Sequence, residues 1–96
     1  MLKFLAAAIG FVSIAAAVVA SAEPPAGAAS CSGCHPASTS VTSPVPRLAG
    51  LDRAAIVRAM QDFRSGQRTA TVMDRIAKGF TDEEIQAIAA WYATQR

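Results

Sequence analysis

The stretch CSGCH, residues 31–35, decides how the rest of this 96-residue chain is interpreted. It contains both cysteines of the sequence, Cys31 and Cys34, and its only histidine, His35. With two thiols and an imidazole placed together, the remainder of the chain has few side chains suited to nucleophilic or metal chemistry. The reactive groups are therefore concentrated at one site.

The pattern C-x-x-C-H is the attachment signature of c-type haem. Two thiols at this spacing can add to the two vinyl groups of one porphyrin, and the imidazole of the next residue then lies beneath the iron. Haem would also supply a large apolar group to a domain that is too small to bury a sizeable core. We therefore predict one covalent haem c, attached to Cys31 and Cys34, with His35 as an axial ligand of the iron.

Three other interpretations of the motif fit the sequence less well. A redox-active C-x-x-C pair is typical of a thioredoxin-like βαβ unit, and the sequence has no such pattern. A structural zinc site needs four ligands, whereas the motif offers three that lie too close together for the usual paired spacing. A nucleophilic cysteine needs a histidine aligned with it as a base, which adjacent backbone positions rarely allow.

The sixth ligand of the iron is predicted to be a methionine, because the chain has no second histidine. Met60 lies between Ile56 and Phe63 at helical spacing, where a core position is the simpler interpretation. Met73 lies in a segment that we expect to be irregular, where a loop could bend its sulfur toward the iron, and we favour it. His/Met ligation leaves no open iron position, which favours electron transfer over a haem enzyme or a gas sensor.

Residues 1–22 have the pattern of a cleaved secretory signal peptide. Lys3 precedes an apolar stretch over residues 4–19, and the A-S-A of residues 20–22 fits a cleavage site. An uncleaved membrane anchor is the alternative, although the apolar stretch is at the short limit for a membrane span. We predict a mature domain over residues 23–96, a periplasmic location and no membrane attachment after cleavage.

The charge balance gives no indication of a nucleic-acid partner. Nine Lys and Arg residues stand against seven Asp and Glu residues, and Lys3 lies in the predicted signal peptide. The arginines could be solvated, pair locally with Asp52 or Asp62, neutralise haem propionates or contact an acidic partner. The sequence does not choose among these roles. The arginines in question are Arg47, Arg53, Arg58, Arg64, Arg68 and Arg75.

The predicted domain is all-α, because no run of β-branched residues with a period of two appears. Residues 24–35 have room for about two helical turns before Pro36, which disfavours helix at the preceding position. Residues 36–50 contain three prolines and a run of Ser and Thr, so we predict a loop. A long loop in a small domain is more often wrapped around a bound group than a free linker.

Two longer helices are predicted after this loop. The first has Asp52 as its N-cap and ends at Ser65-Gly66. The second begins at the capping box formed by Thr81 and Glu84. Apolar residues then recur at helical spacing, with a large tryptophan beside them. They are Ile85, Ile88, Ala89 and Tyr92, with Trp91 adjacent.

Taken together, these features resemble the class I cytochromes c over nearly all of the predicted mature chain. CSGCH, then PRLAG at residues 46–50, then Met73 and a capped C-terminal helix occur in that family's order. The resemblance implies a small helical fold wrapped around one haem. It also implies that the N- and C-terminal helices cross, with Trp91 or Tyr92 near their contact.

The PRLAG segment has its own implied role in that family. The Pro46 carbonyl would accept the Nδ1 proton of His35, which fixes the tautomer of the ring and strengthens it as a ligand. Leu48 would pack on the face of the haem.

A narrower resemblance covers residues 56–85, IVRAMQDFRSGQRTATVMDRIAKGFTDEEI. This stretch is similar to the cytochrome subunit of flavocytochrome c sulfide dehydrogenase, in which the methionine before RIAKG is the axial ligand; that methionine is Met73 here. The resemblance implies a periplasmic haem subunit, not itself an enzyme, that accepts electrons from an FAD-containing flavoprotein. The alternative is a free soluble monohaem carrier for another periplasmic redox enzyme. Some members carry two haem domains, and the single motif maps this chain to one.

Overall fold

The structure is a computed structural model, and it describes residues 10–15 and 23–96. Most of the predicted signal peptide, including residues 20–22, lies outside the described residues, so its cleavage stays a prediction. Across the described ranges the chain forms helices and no strand, which confirms the all-α prediction. None of these helices is long and apolar enough to cross a membrane. The helices are α1 (Ala28–Cys31), α2 (Arg53–Ser65), α3 (Met73–Ala77) and α4 (Asp82–Thr94).

Helix α2 begins and ends at the predicted residues. The Asp52 carboxylate accepts a hydrogen bond from the Ala55 N–H at 3.2 Å, which satisfies one of the free donors of the first turn. Gly66 ends the helix with φ 80°, a left-handed conformation that glycine adopts without a Cβ penalty. Both signals are local, so the sequence alone is sufficient to find them.

Helix α4 begins with the predicted capping box. The Thr81 hydroxyl accepts from the Glu84 N–H at 3.2 Å, and the Glu84 carboxylate accepts from the Thr81 N–H at 3.0 Å. These hydrogen bonds stabilise the ionised carboxylate, so the pKa of Glu84 lies below its ordinary value. The acidic first turn also interacts favourably with the positive end of the helix dipole.

The core lies where α2 and α4 pack together, with α1 at one end. It is small: no large side chain among the described residues is fully buried. Partly buried apolar side chains, including Met60, pack around it. The apolar face predicted for α4 is therefore the buried face. The cluster consists of Ala28, Ile56, Val57, Ile85, Ile88, Ala89 and Tyr92.

Helix α1 contacts α4 close to Tyr92, as the resemblance implied. The Tyr92 hydroxyl donates to the Ala28 carbonyl oxygen at 2.6 Å, and both residues are buried. Gly27, just before α1, has φ 86°, and a Cβ there would lie 2.6 Å from Cε1 of Phe80. The chain can therefore make this close approach only with glycine at that position.

One local prediction needs correction. The N-terminal helix has four residues, within the room for about two turns that the sequence allows, because Gly27 and the turns after Cys31 confine it. Met73 is predicted to lie in an irregular segment, but in the structure it is the first residue of α3. A helix of five residues offers too few positions for apolar periodicity to be visible in the sequence. The predicted loop over residues 36–50 is confirmed, since it contains neither helix nor strand.

Candidate functional site

The CSGCH motif continues α1 as a series of tight turns. The backbone N–H groups of Cys34 and His35 both donate to the Cys31 carbonyl oxygen, at 3.2 and 2.9 Å. Residues three and four positions apart in a helical turn lie on the same face. Both thiols and the imidazole therefore point from one end of α1, and the two cysteines are not joined in a disulfide.

The His35 ring is oriented by the PRLAG segment. Its Nδ1 lies 2.5 Å from the Pro46 carbonyl oxygen, the contact that the family resemblance implied. A carbonyl can only accept, so Nδ1 carries a proton, and in the neutral ring Nε2 is then the atom free to act as a ligand. A ring held in this way is prepared to bind a metal through Nε2.

The Cys31 thiol is partly buried. Burial raises the pKa of the Cys31 thiol above its ordinary value, and hydrogen bonding with Tyr92 opposes that shift only in part. A raised pKa lowers the fraction of thiolate, which is the nucleophilic form. In addition, no group of three or more Cys, His, Asp or Glu side chains able to hold a metal ion occurs in the described ranges. The raised pKa of Cys31 disfavours a nucleophilic role for this thiol.

A mostly apolar cavity of about 270 Å³ adjoins His35. Leu48 and Trp91 form part of its lining, and the buried Trp91 Nε1 has no hydrogen-bond partner. The cavity thus places an apolar wall beside the imidazole of His35. Neither cysteine nor Met73 lines this cavity.

The PRLAG segment is anchored to α4. The Gly50 N–H donates to the Tyr92 carbonyl oxygen at 3.0 Å, and the Leu51 N–H donates to the Leu48 carbonyl oxygen at 3.1 Å. Leu48 is partly buried and packs against the core. Tyr92 thus holds both ends of the N-terminal region, through its hydroxyl at α1 and through its carbonyl at Gly50. The sequence places Tyr92 in the helix contact but gives no signal for this second connection.

The two candidate methionines lie on different elements. Met60 is on α2 and packs against the core, as its spacing predicted. Met73 is half-buried at the start of α3, whose neighbouring apolar side chains Val72 and Ile76 are exposed. Because Met73 does not lie in a loop, the positional reason for choosing it was wrong. Its assignment as a ligand then rests on the family resemblance and on the core position of Met60.

The arginines mostly make structural contacts. Among the described residues the one ion pair joins Arg64 to Asp82 at 2.7 Å and so connects α2 to the start of α4. The expected local pairs of Asp52 or Asp62 with an arginine are not formed. Asp52 is used as a helix cap instead. Arg47 hydrogen-bonds backbone carbonyls of the loop, a role that its sequence position does not reveal.

No protein-family model matches the chain, but individual proteins do. It is 44% identical over 63 residues to the cytochrome subunit of sulfide dehydrogenase of Chlorobaculum tepidum, covering 66% of this chain and 57% of that protein. It is 40% identical over 65 residues to the thiosulfate dehydrogenase electron acceptor of Stutzerimonas stutzeri, covering 66% of this chain and 30% of that protein.

A third relative is covered over most of its own length. The chain is 33% identical over 69 residues to cytochrome c-554(548) of Halomonas halodenitrificans, covering 68% of this chain and 83% of that protein. The chain spans less than two thirds of the length of the other two relatives.

Proposed function

The chain belongs to the class I c-type cytochromes and carries haem c, and from this premise we propose that it is a periplasmic electron-transfer protein. In its specific form, it is the haem subunit that accepts electrons from an FAD-containing sulfide dehydrogenase and is not an enzyme on its own. The haem supplies one-electron exchange between its ferric and ferrous states. The observation that carries the proposal is the hydrogen bond between His35 Nδ1 and the Pro46 carbonyl.

Each of the proposed site residues has one task. Cys31 and Cys34 would hold the haem by thioether bonds, and His35 would bind its iron through Nε2. Pro46 keeps the ring in one tautomer and orientation, which increases its strength as a donor. Leu48, which is partly buried against the core, would pack on the face of the haem.

Met73 is the proposed second axial ligand. Its thioether sulfur would bind the iron position that His35 leaves open, and oxygen, peroxide or carbon monoxide would then have no free site. This separates an electron carrier from a haem enzyme or a gas sensor.

The partner is proposed to be a redox enzyme. One relative is named as a subunit of a sulfide dehydrogenase, which supports a flavoprotein partner. Another is named as the electron acceptor of a thiosulfate dehydrogenase, which supports a free soluble monohaem carrier for another periplasmic enzyme as the second candidate. Neither candidate requires nucleic acid or attachment to a membrane.

A visible absorption spectrum of the tagged protein, gently purified from its native host and recorded oxidised and dithionite-reduced, tests the proposal. We expect low-spin c-type haem bands, and a co-purifying flavin that sulfide bleaches would support the sulfide dehydrogenase partner. Haem bands without flavin would favour the free carrier. A protein without covalent haem would overturn both candidates.

A matched pair of substitutions tests the second ligand. Leucine conserves the volume of methionine but cannot bind iron. We expect reduced Met73→Leu to bind carbon monoxide rapidly, whereas the parent and Met60→Leu do not. If the parent binds carbon monoxide as fast as Met73→Leu, the iron is already open and the electron-carrier proposal fails.

A further inference from the structure

The loop that carries the Pro46 carbonyl back to His35 is closed by side chains. We call the place where the two ends of the loop meet its neck. There His35 Nδ1 contacts the Pro46 carbonyl oxygen at 2.5 Å, and Arg47 Nε donates to the Ala37 carbonyl oxygen at 2.6 Å. Over residues 36–50, all of which the structure describes, no hydrogen bond between backbone atoms joins the two sides of the neck. The proline on each side lacks the N–H that such a bond would need.

Arg47 connects the side of the neck that contains Ala37 to the side that is hydrogen-bonded to α4 through Gly50. Its Nη1 donates to the Ala49 carbonyl at 3.4 Å. The next residue, Gly50, is hydrogen-bonded through its N–H to the Tyr92 carbonyl of α4 at 3.0 Å. The guanidinium therefore couples Ala37, two residues after His35, to a segment fixed on the helical core.

The rest of the loop does not contribute to this closure. Its other hydrogen bonds join neighbours: Ser38 to Ser40, and the Val45 N–H to Ser43 Oγ. Without Arg47, the Pro46 side would still be anchored to α4 through Gly50, but the ring–Pro46 bond would be the one remaining hydrogen bond across the neck.

We propose that Arg47 is a positioning residue for the axial imidazole. The inference rests on the proposed function, because it takes His35 as the ligand of the haem iron. Its guanidinium keeps the neck closed and so holds the Pro46 carbonyl on Nδ1. That hydrogen bond makes the ring a stronger donor and stabilises ferric iron relative to ferrous iron. Loss of Arg47 therefore raises the reduction potential.

The sign of this effect separates positioning from charge. Removing a positive charge near the haem, with no change at His35, would stabilise ferric iron and lower the reduction potential. Arg47→Lys keeps the charge but cannot make both hydrogen bonds, because an ammonium lacks the planar fork of the guanidinium. If Arg47 positions the imidazole, Arg47→Ala raises the reduction potential, and Arg47→Lys raises it less.

The experiment uses the haem-loaded full protein and its Arg47→Ala and Arg47→Lys variants. In the reduced state, NMR measures the exchange rate of the His35 Nδ1 proton with solvent deuterium, and a redox titration gives the potential. We expect exchange in Arg47→Ala to be about tenfold faster, the factor that corresponds to about 1.4 kcal/mol, as for one lost charge-assisted hydrogen bond. Arg47→Lys should lie between this variant and the parent.

Two control variants exclude other causes. Arg53→Ala removes an arginine that donates to Gln86 Oε1 at 3.0 Å and makes no hydrogen bond to the loop. Gly66→Ala strains the end of α2, far along the chain from the neck. Neither should change the Nδ1 exchange rate. If Gly66→Ala accelerates it as much as Arg47→Ala does, Arg47 acts through general stability and the inference is wrong.

The inference is also overturned if Nδ1 exchange is unchanged in Arg47→Ala, or if the potential of that variant falls. If Arg47→Ala does not accumulate with haem bound, the Nδ1 exchange rate and the reduction potential are measured on Arg47→Lys instead. Faster exchange and a raised potential then support the inference, and unchanged values contradict it. A parent protein without covalent haem would instead contradict the proposed function. The two failures are therefore distinguishable.

Discussion

The chain from Glu23 to Gly50 and the chain from Leu51 to Arg96 are held in place by different means. The second part contains α2, α3 and α4 and all of the buried apolar residues except Ala28. The first part has one four-residue helix and a long loop, and it contributes the thiols and the imidazole. One part therefore contributes the core, and the other contributes the chemistry.

This difference shows how a small domain can position reactive groups on a segment that contributes little to the buried core. The helices of the second part begin and end at local caps and bury a shared apolar face. The first part depends on a few connections to that scaffold, of which Tyr92 makes two, at Ala28 and at Gly50. Covalent haem would add a third connection, through both cysteines.

The largest effect is expected when the covalent connection is removed. In the double variant Cys31→Ser, Cys34→Ser, no thioether bond can form. We expect loss of covalent haem by mass spectrometry and a lower denaturant midpoint, because a bound haem buries apolar surface worth several kcal/mol at about 25 cal/mol per Å². Amide hydrogen exchange should increase most over residues 23–50. Equal stability of the double variant and the parent would show that the core suffices without the cofactor.

The next largest effect is expected at the contact between α1 and α4. Gly27→Ala places a Cβ 2.6 Å from Phe80 at a positive φ, whereas Gly66→Ala has a similar φ and no atom within 4 Å. The backbone strain, about 1–2 kcal/mol, is common to both. Overpacking adds about 1–3 kcal/mol only at Gly27. Denaturant unfolding measures both variants, and equal losses would mean that Phe80 moves aside without cost.

A smaller effect is expected when the hydroxyl link between the two parts is removed. Tyr92→Phe keeps the ring but leaves the buried Ala28 carbonyl without its donor. An unsatisfied buried carbonyl costs about 1–3 kcal/mol. We expect the free energy of unfolding to fall by that amount and hydrogen exchange to increase in α1 before α2. An unchanged free energy of unfolding would show that packing alone joins α1 to α4.

The smallest effect, confined to the second part, is expected at the α4 capping box. The pKa of Glu84 is lowered in the folded protein, so its stabilisation is complete above the ordinary glutamate pKa and is lost as the pH falls through the lowered value. Glutamine can still accept the Thr81 N–H, so Glu84→Gln removes only the charge. We expect Glu84→Gln to be less stable than the parent at neutral pH, and the difference to shrink at acid pH, once the pH has fallen below the ordinary glutamate pKa.

The control for this prediction is Glu83→Gln, which removes a charge from the same turn without altering the capping box. Chemical denaturation at both pH values measures each variant against the parent. A pH dependence as large in Glu83→Gln would assign the effect to the helix dipole rather than to the cap.

Local sequence signals predicted much of the second part and little of the first. Asp52, Gly66 and the Thr81–Glu84 box mark helix ends because a side chain satisfies backbone groups only a few residues away. The five-residue α3 escaped prediction because it is shorter than the window in which periodicity can be seen. The same limit produced the wrong expectation that Met73 lies in a loop.

Apart from the His35–Pro46 contact, which the family resemblance implied, long-range polar partners could not be predicted from the sequence. Arg64 pairs with Asp82 across the space between α2 and α4, not with a neighbouring aspartate. Arg47 contacts carbonyls on both sides of a loop whose path is set by its prolines and by its attachment to α4. Such choices depend on which surfaces meet after the helices have packed.

The sequence by itself determined the all-α class, the two long helices and the single C-x-x-C-H motif, because spacing and capping are properties of adjacent residues. The tertiary structure alone decided that Tyr92 holds both ends of the N-terminal part and that Arg47 closes the loop behind His35. The physical reason is that hydrogen bonds to backbone carbonyls carry no signature in the sequence, since every residue offers one. Which carbonyl a side chain reaches is fixed only when the chain is folded.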